Sequence, residues 1–146
     1  MRRDHFTIAA EGGDTMPAGK PTLDITYDGP TEPFERSFTD EDGHLYESDV
    51  VDAAFRLRDP PEDDDSTGVF SLTHRITGEY LLEANTDTED ILALVRTARD
   101  SDEERYRIRI TGADESISYE MDGLFVYDEG GDLLEQHSLI PSGVEL

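Results

Sequence analysis

The sequence predicts an α+β fold: a mainly antiparallel β-sheet of about six to eight strands, with one amphipathic helix packed on one face. Three observations carry this expectation. Several short segments alternate apolar and polar residues with a period of two. One segment, 87–99, instead repeats its apolar residues at helical spacing. Glycine beside aspartate or glutamate separates the later segments, which is the chemistry of tight hairpin turns.

Leu23, Ile25 and Tyr27 alternate with Asp24, Thr26 and Asp28, so 23–28 reads as a half-buried strand. Val51, Ala53, Phe55 and Leu57 alternate with Asp52, Ala54, Arg56 and Arg58 and predict a second. Residues 59–68 have no large apolar side chain and form a flexible acidic loop, with Glu62-Asp63-Asp64-Asp65 between Pro60-Pro61 and Ser66-Thr67-Gly68. Strands at 69–74 and 80–84 are joined through Ile76-Thr77-Gly78-Glu79, a hairpin signal.

The helix over 87–99 follows. Thr86 or Asp87 can cap it, and Glu89 and Asp90 occupy the first turn, where the dipole favours anions. Ile91, Leu94, Val95 and Ala98 share one face, while Arg96 and Arg99 fall in the last turns. It should stop near Asp100, because 101–104 is charged and has no apolar anchor. Strands are predicted at 105–111, 116–121, 124–128 and 133–139, with turns at Asp122-Gly123 and Glu129-Gly130-Gly131. The last third therefore reads as an antiparallel meander. Residues 40–46 and 128–134 resemble each other, each an acidic turn with a glycine before an apolar strand start.

A chain of 146 residues suits a single domain, 1–146. Leu, Ile, Val and Phe make up about 23 % of it, a lean core close to the limit below which chains fail to fold. The charge is lopsided: 36 Asp and Glu against 12 Lys and Arg, net −24, with Lys20 the only lysine. Such a surface repels itself in dilute salt. At 1 M salt the Debye length falls to about 3 Å and the repulsion fades. The acids are spread along the whole chain, which fits a salt-rich solvent better than mimicry of a nucleic acid. Potassium and sodium ions at surface carboxylates are the expected counterions. Direct nucleic-acid binding is not expected, because phosphate contacts need clustered cations. There is no cysteine, hence no disulfide or thiolate chemistry. The opening residues lack the apolar run of a secretory signal, and the longest aliphatic stretch, 91–95, is far too short to span a membrane. A cytoplasmic location is expected.

Two features stand out as contact surfaces. If Tyr106, Ile108 and Ile110 face the core, then Arg105, Arg107 and Arg109 form a row on the opposite face, about 7 Å apart by the strand rise. Arginine suits planar recognition of carboxylate or phosphate. Carboxylates on neighbouring strands, Glu83 and Glu120 among them, can equally pair with the row. The second feature is the apolar tail over 140–146. There Ile140, Val144 and Leu146, with Leu139 before them, either pack back on the sheet or dock into another chain.

Other patterns fail on spacing. Residues 13–20 end in Gly19-Lys20, but Asp14 stands where a phosphate loop needs its first glycine and Pro21 where it needs Ser or Thr. Asp40-Glu41-Asp42-Gly43 hints at a calcium loop, yet Phe38 occupies a ligand position. His5, His44, His74 and His137 form no His-x-x-x-His pair. His137-Ser138 lacks a recognisable nucleophile elbow. No catalytic residue, metal ligand or cofactor is assigned.

Met1-Arg2-Arg3-Asp4-His5-Phe6, Arg75-Ile76-Thr77-Gly78-Glu79-Tyr80 and the ending from His137-Ser138-Leu139-Ile140-Pro141 to Glu145-Leu146 resemble a family of small acidic proteins of halophilic archaea with no assigned function. The resemblance implies a cytoplasmic protein of such an organism and no particular activity. The function expected is non-catalytic binding, an adaptor contacting a partner through the arginine face, a sheet edge or the tail. Two alternatives remain: a small-anion or nucleotide-binding domain or enzyme using the same arginines, and a homo-oligomeric structural unit.

Overall fold

A computed structural model describes residues 6–11, 21–29, 38–100, 104–112 and 116–140. Its strands are β1 (Phe6–Glu11), β2 (Thr22–Tyr27), β3 (Val51–Leu57), β4 (Thr67–His74), β5 (Tyr80–Asp87), β6 (Tyr106–Thr111), β7 (Ser116–Met121) and β8 (Phe125–Tyr127). The helix α1 spans Thr88–Asp100, and single 3-10 turns lie at Ser48–Val50 and Glu135–His137.

The strands form two four-stranded sheets, in the orders β1-β2-β6-β7 and β5-β4-β3-β8. Most neighbours are antiparallel, but β2 runs parallel to β6 and β3 parallel to β8. The expected α+β class holds, as two mixed sheets rather than one.

Alternation explains how the sheets share a core. In the first, Leu23 lies beside Ile108 and Ile25 beside Ile110, while Ile108 faces Tyr119 and Ile110 faces Ile117. In the second, Phe55 sits between Phe70 and Val126, and Leu72 sits between Ala53 and Leu82. All of these are buried in one continuous cluster. Gly68 allows the tightest contact. A Cβ there would lie 2.5 Å from Cζ of Phe55 and would also strike the Arg56 carbonyl.

The helix buries Ile91, Leu92, Leu94, Val95 and Ala98. It rests against β1 and β5, the neighbouring edge strands of the two sheets, and so covers the seam between them. Burying this face supplies most of the helix's stability, since an isolated helix of this length is marginal in water. The strand β4 begins at Thr67, taking the last two residues of the predicted acidic loop. Inside that loop the Asp63 N–H reaches Pro60 O, and the Ser66 N–H reaches Asp63 O.

The end of the chain departs from the predicted meander. After β7 the chain crosses at Asp122-Gly123 to the other sheet, where β8 joins β3 in parallel, so this turn closes no hairpin. Residues 133–139 are not a strand. They touch β8 and Leu124 through single bridges at Leu133 and Leu139, with a 3-10 turn between. Local alternation cannot show this, because a residue pair that bridges once and a residue pair inside a strand look alike in sequence. The strand β1, absent from the predicted set, pairs antiparallel with β2.

Candidate functional site

The arginine row forms as the alternation requires, with Tyr106, Ile108 and Ile110 buried beneath it. Its three members have different fates. Arg109 stands beside Asp24 in the parallel β2–β6 pair, and its Nε and Nη2 donate to the two carboxylate oxygens at 2.6 and 2.9 Å. Arg107 lies opposite Glu120 in register, with a looser approach of 3.6 Å. Glu83, the other partner expected from sequence, belongs to the second sheet, opposite Ser71. Asp24 takes the place expected of it. Arg105 precedes β6, is exposed, and has no ion pair among the described residues.

Arg105 instead lines a cleft of about 460 Å³. The end of β7 contributes Glu120 and Met121, the crossover contributes Asp122, and the second sheet contributes Asp52 and Arg75. Two hydrogen bonds knit these parts together. The Arg75 N–H donates to Val50 O at 2.7 Å, and the Glu120 N–H donates to Ser48 Oγ at 3.3 Å. Arg75 is held by Asp52, with Nε and Nη2 both at 2.9 Å. The cleft therefore contains two arginines against the carboxylates of Asp49, Asp52, Glu120 and Asp122. Its balance is negative, with a single guanidinium left open. Arg75, Asp52 and Asp122 escaped the sequence reading, because only the sheet crossover brings 52, 75, 105 and 122 together.

The tail is docked as far as the structure describes it. Leu139 is buried and bridges Leu124, and Ile140 is half-buried. Arg99, near the helix end, donates to Gln136 O at 3.2 Å and to Ser138 O at 2.6 Å, strapping this segment to the helix. The Ser138 hydroxyl is buried, accepting from the Val126 N–H and donating to Leu134 O. A buried hydroxyl engaged as both donor and acceptor is a structural pin. Val144, Leu146 and the 13–20 segment lie outside the described residues.

The resemblance between 40–46 and 128–134 is a repeated turn. Asp40 Oδ1 accepts the N–H groups of Asp42 and His44, and Asp128 Oδ1 accepts those of Gly130 and Asp132. Gly43 and Gly131 supply the left-handed backbone, at φ +82 and +90°. The N–H of His44, then that of Asp42, hold the Asp40 carboxyl below its usual range. Ligand atoms of Asp40, Asp42 and His44 lie within 4.8 Å of one another, all exposed. The matching turn at Asp128 has Gly130 and Asp132 instead, so turn chemistry accounts for Asp40 without a metal.

A second hollow, about 720 Å³, lies between the acidic loop and the start of α1. Asp63, Asp64, Asp65, Asp87 and Asp90 are among its walls. Burial, with Asp87 and Glu89 nearby, pushes the Asp90 carboxyl above its ordinary range. Its charged walls are acidic apart from Arg96.

Among the described residues no helix is long and apolar enough to cross a membrane. The model of DUF5793, a family of unknown function, matches residues 1–146, and the chain belongs to that family. No curated protein and no solved structure matches it.

Proposed function

We propose that this member of the family is a non-catalytic binding protein of a halophile's cytoplasm, contacting a protein partner at the cleft around Arg105. The observation that carries this reading is the charge balance of the cleft. The one unpaired guanidinium of the row sits among four carboxylates, one of them engaged by Arg75 and another approached by Arg107. A phosphate or nucleotide placed there would gain one arginine and meet several anions at close range, which weighs against the small-anion reading. A polypeptide carries both signs of charge and can answer each group separately. The halophilic setting rests on the net charge of −24 with a single lysine. At such salt, charge acts only at contact distance, so the partner must be held by short-range contacts.

Thermal shift in about 2 M KCl against phosphate, pyrophosphate and a nucleotide panel tests this reading. A ligand at 100 times its dissociation constant would stabilise by about 2.7 kcal/mol. The expected result is no shift with any of them. A shift that Arg105→Glu abolishes would replace the binding-protein reading with anion recognition.

A further inference from the structure

We infer that the outer edge of β7, open at Ser116 and Ser118 among the described residues, is a strand-addition site, where an extended segment of a partner protein pairs with Ser116–Ser118 and places a basic side chain at the adjoining cleft. The inference rests on the binding-protein reading and specifies the partner's form.

The β7 strand is terminal in its sheet, and its register with β6 runs without a bulge from Ser116 to Met121. Two hydrogen bonds fix which backbone groups face outward. The Arg107 N–H donates to Pro21 O, away from β7, so Tyr106, Ile108 and Ile110 direct their backbone groups toward β7. Their partners Met121, Tyr119 and Ile117 are thereby satisfied. The N–H of Glu120 donates to Ser48 Oγ on the far side, in the same phase. Ser116, Ser118 and Glu120 therefore present their N–H and C=O groups away from β6. Glu120 finds Ser48, whereas Ser116 and Ser118 have no hydrogen bond on this side among the described residues.

Folded proteins guard such edges with lysine, proline, a bulge or an inward-pointing charge. Over 116–119 this edge has none of these: the residues are Ser, Ile, Ser and Tyr in a chain where a third of the residues are charged. Small exposed serines leave room for a neighbouring strand at the usual spacing of about 4.8 Å. In concentrated salt, main-chain hydrogen bonds and apolar contact keep their strength while long-range charge does not. An open edge is the type of surface that works there.

Charge complementarity selects the occupant. At its Met121 end the edge runs into the cleft, where Asp49 and Asp122 outnumber the open Arg105. A partner strand with an arginine or lysine near that end matches it. A second copy fits poorly. It carries the same net charge of −24 with a single lysine, so it offers few cations for that acidic end.

Ser118→Pro provides a clean test. It removes an outward N–H that no described residue uses, and proline is tolerated on an edge strand for that reason. The probe is a phage pool of random nine-residue peptides with one fixed arginine, panned on the full chain in about 2 M KCl. The inference expects enriched peptides that protect the Ser118 amide from hydrogen exchange. They should lose at least tenfold in affinity on Ser118→Pro, whose melting temperature stays at the parent value, and also weaken on Asp122→Lys. Peptides that bind Ser118→Pro as tightly as the parent but fail on Asp122→Lys would overturn strand addition and leave the cleft reading standing. No enrichment, or peptides indifferent to both variants, would overturn both. A concentration-dependent mass in light scattering that Ser118→Pro abolishes would make the occupant a second copy, against the inference.

Discussion

Asp24 and Arg109, 85 residues apart in sequence, are direct neighbours in the parallel pairing of β2 with β6 and share a two-pronged ion pair. The pair converts one end of a potential binding row into part of the sheet. Both side chains are partly exposed, so the gain is modest despite the good geometry. A double-mutant cycle with Asp24→Ala and Arg109→Ala should give a coupling of about 1 kcal/mol, largely kept at high salt because the contact is bidentate. The same cycle on Arg107 and Glu120, at 3.6 Å, should give about 0.3 kcal/mol or less. Equal couplings would show that register, rather than contact geometry, sets the pairing strength.

Gly68→Ala should destabilise the fold by about 1–3 kcal/mol in thermal melts, because the added methyl meets the buried Phe55 ring and the Arg56 carbonyl. Parent-like stability would mean that the Phe55 ring can be displaced without cost.

Asp90 reports on the acidic hollow. Its carboxyl is pushed up first by burial, then by Asp87 and Glu89. A carboxyl raised in the folded state binds its proton more tightly there than in the unfolded chain. Stability on its account therefore falls as pH rises from the unfolded value of 3.8 through the folded one, and at neutral pH the whole cost is present. Asp90→Asn should stabilise by about 0.5 kcal/mol in low salt, the scale of like-charge helix pairs. The gain should shrink in about 2 M KCl as the part due to Asp87 and Glu89 is screened. A gain independent of salt would assign the whole effect to burial.

Tyr119 has the one buried side-chain polar atom without a hydrogen-bond partner among the described residues. Burial, with Tyr46 a smaller cause, pushes its phenol up to about 12 from 10.0. A phenol whose pKa is raised by folding makes stability fall as pH climbs from 10 toward 12, and burial without a partner offsets nothing below that range. Tyr119→Phe should raise stability at neutral pH by about 1 kcal/mol, because an unmade buried hydrogen bond is removed. It should also flatten the loss between pH 10 and 12, leaving a remainder from Tyr27 and Tyr106, which burial raises as well. Alkaline melts of both proteins check this, and parallel pH profiles would contradict it.

What sequence made legible was local. The alternation at Leu23, Val51 and Tyr106 and the helical spacing from Ile91 to Ala98 each follow from one residue's neighbours, and each element formed. Partner choice was not legible. Nothing near Asp24 says that β6 will lie beside it in parallel, so the acid that pairs with Arg109 could not be named. Nothing near Phe125 says that its strand will join β3, so the end looked like a meander. The cleft combines both blind spots. Arg105 was visible as a candidate, yet its companions Arg75, Asp52 and Asp122 arrive from turns and a second sheet, where periodicity carries no information.

The premise beneath the binding reading is that the carboxylate exterior answers to salt. On that premise, the lean core and net charge of −24 should make the fold depend on screening. The direct measurement is the melting temperature by circular dichroism from salt-free buffer to about 3 M KCl. The account predicts a molecule partly or wholly unfolded without salt and a melting temperature that climbs steadily with KCl. A native spectrum and an unchanged melting temperature across the range would contradict it, and the acidic face would then have to be read as a surface addressed to a cationic partner.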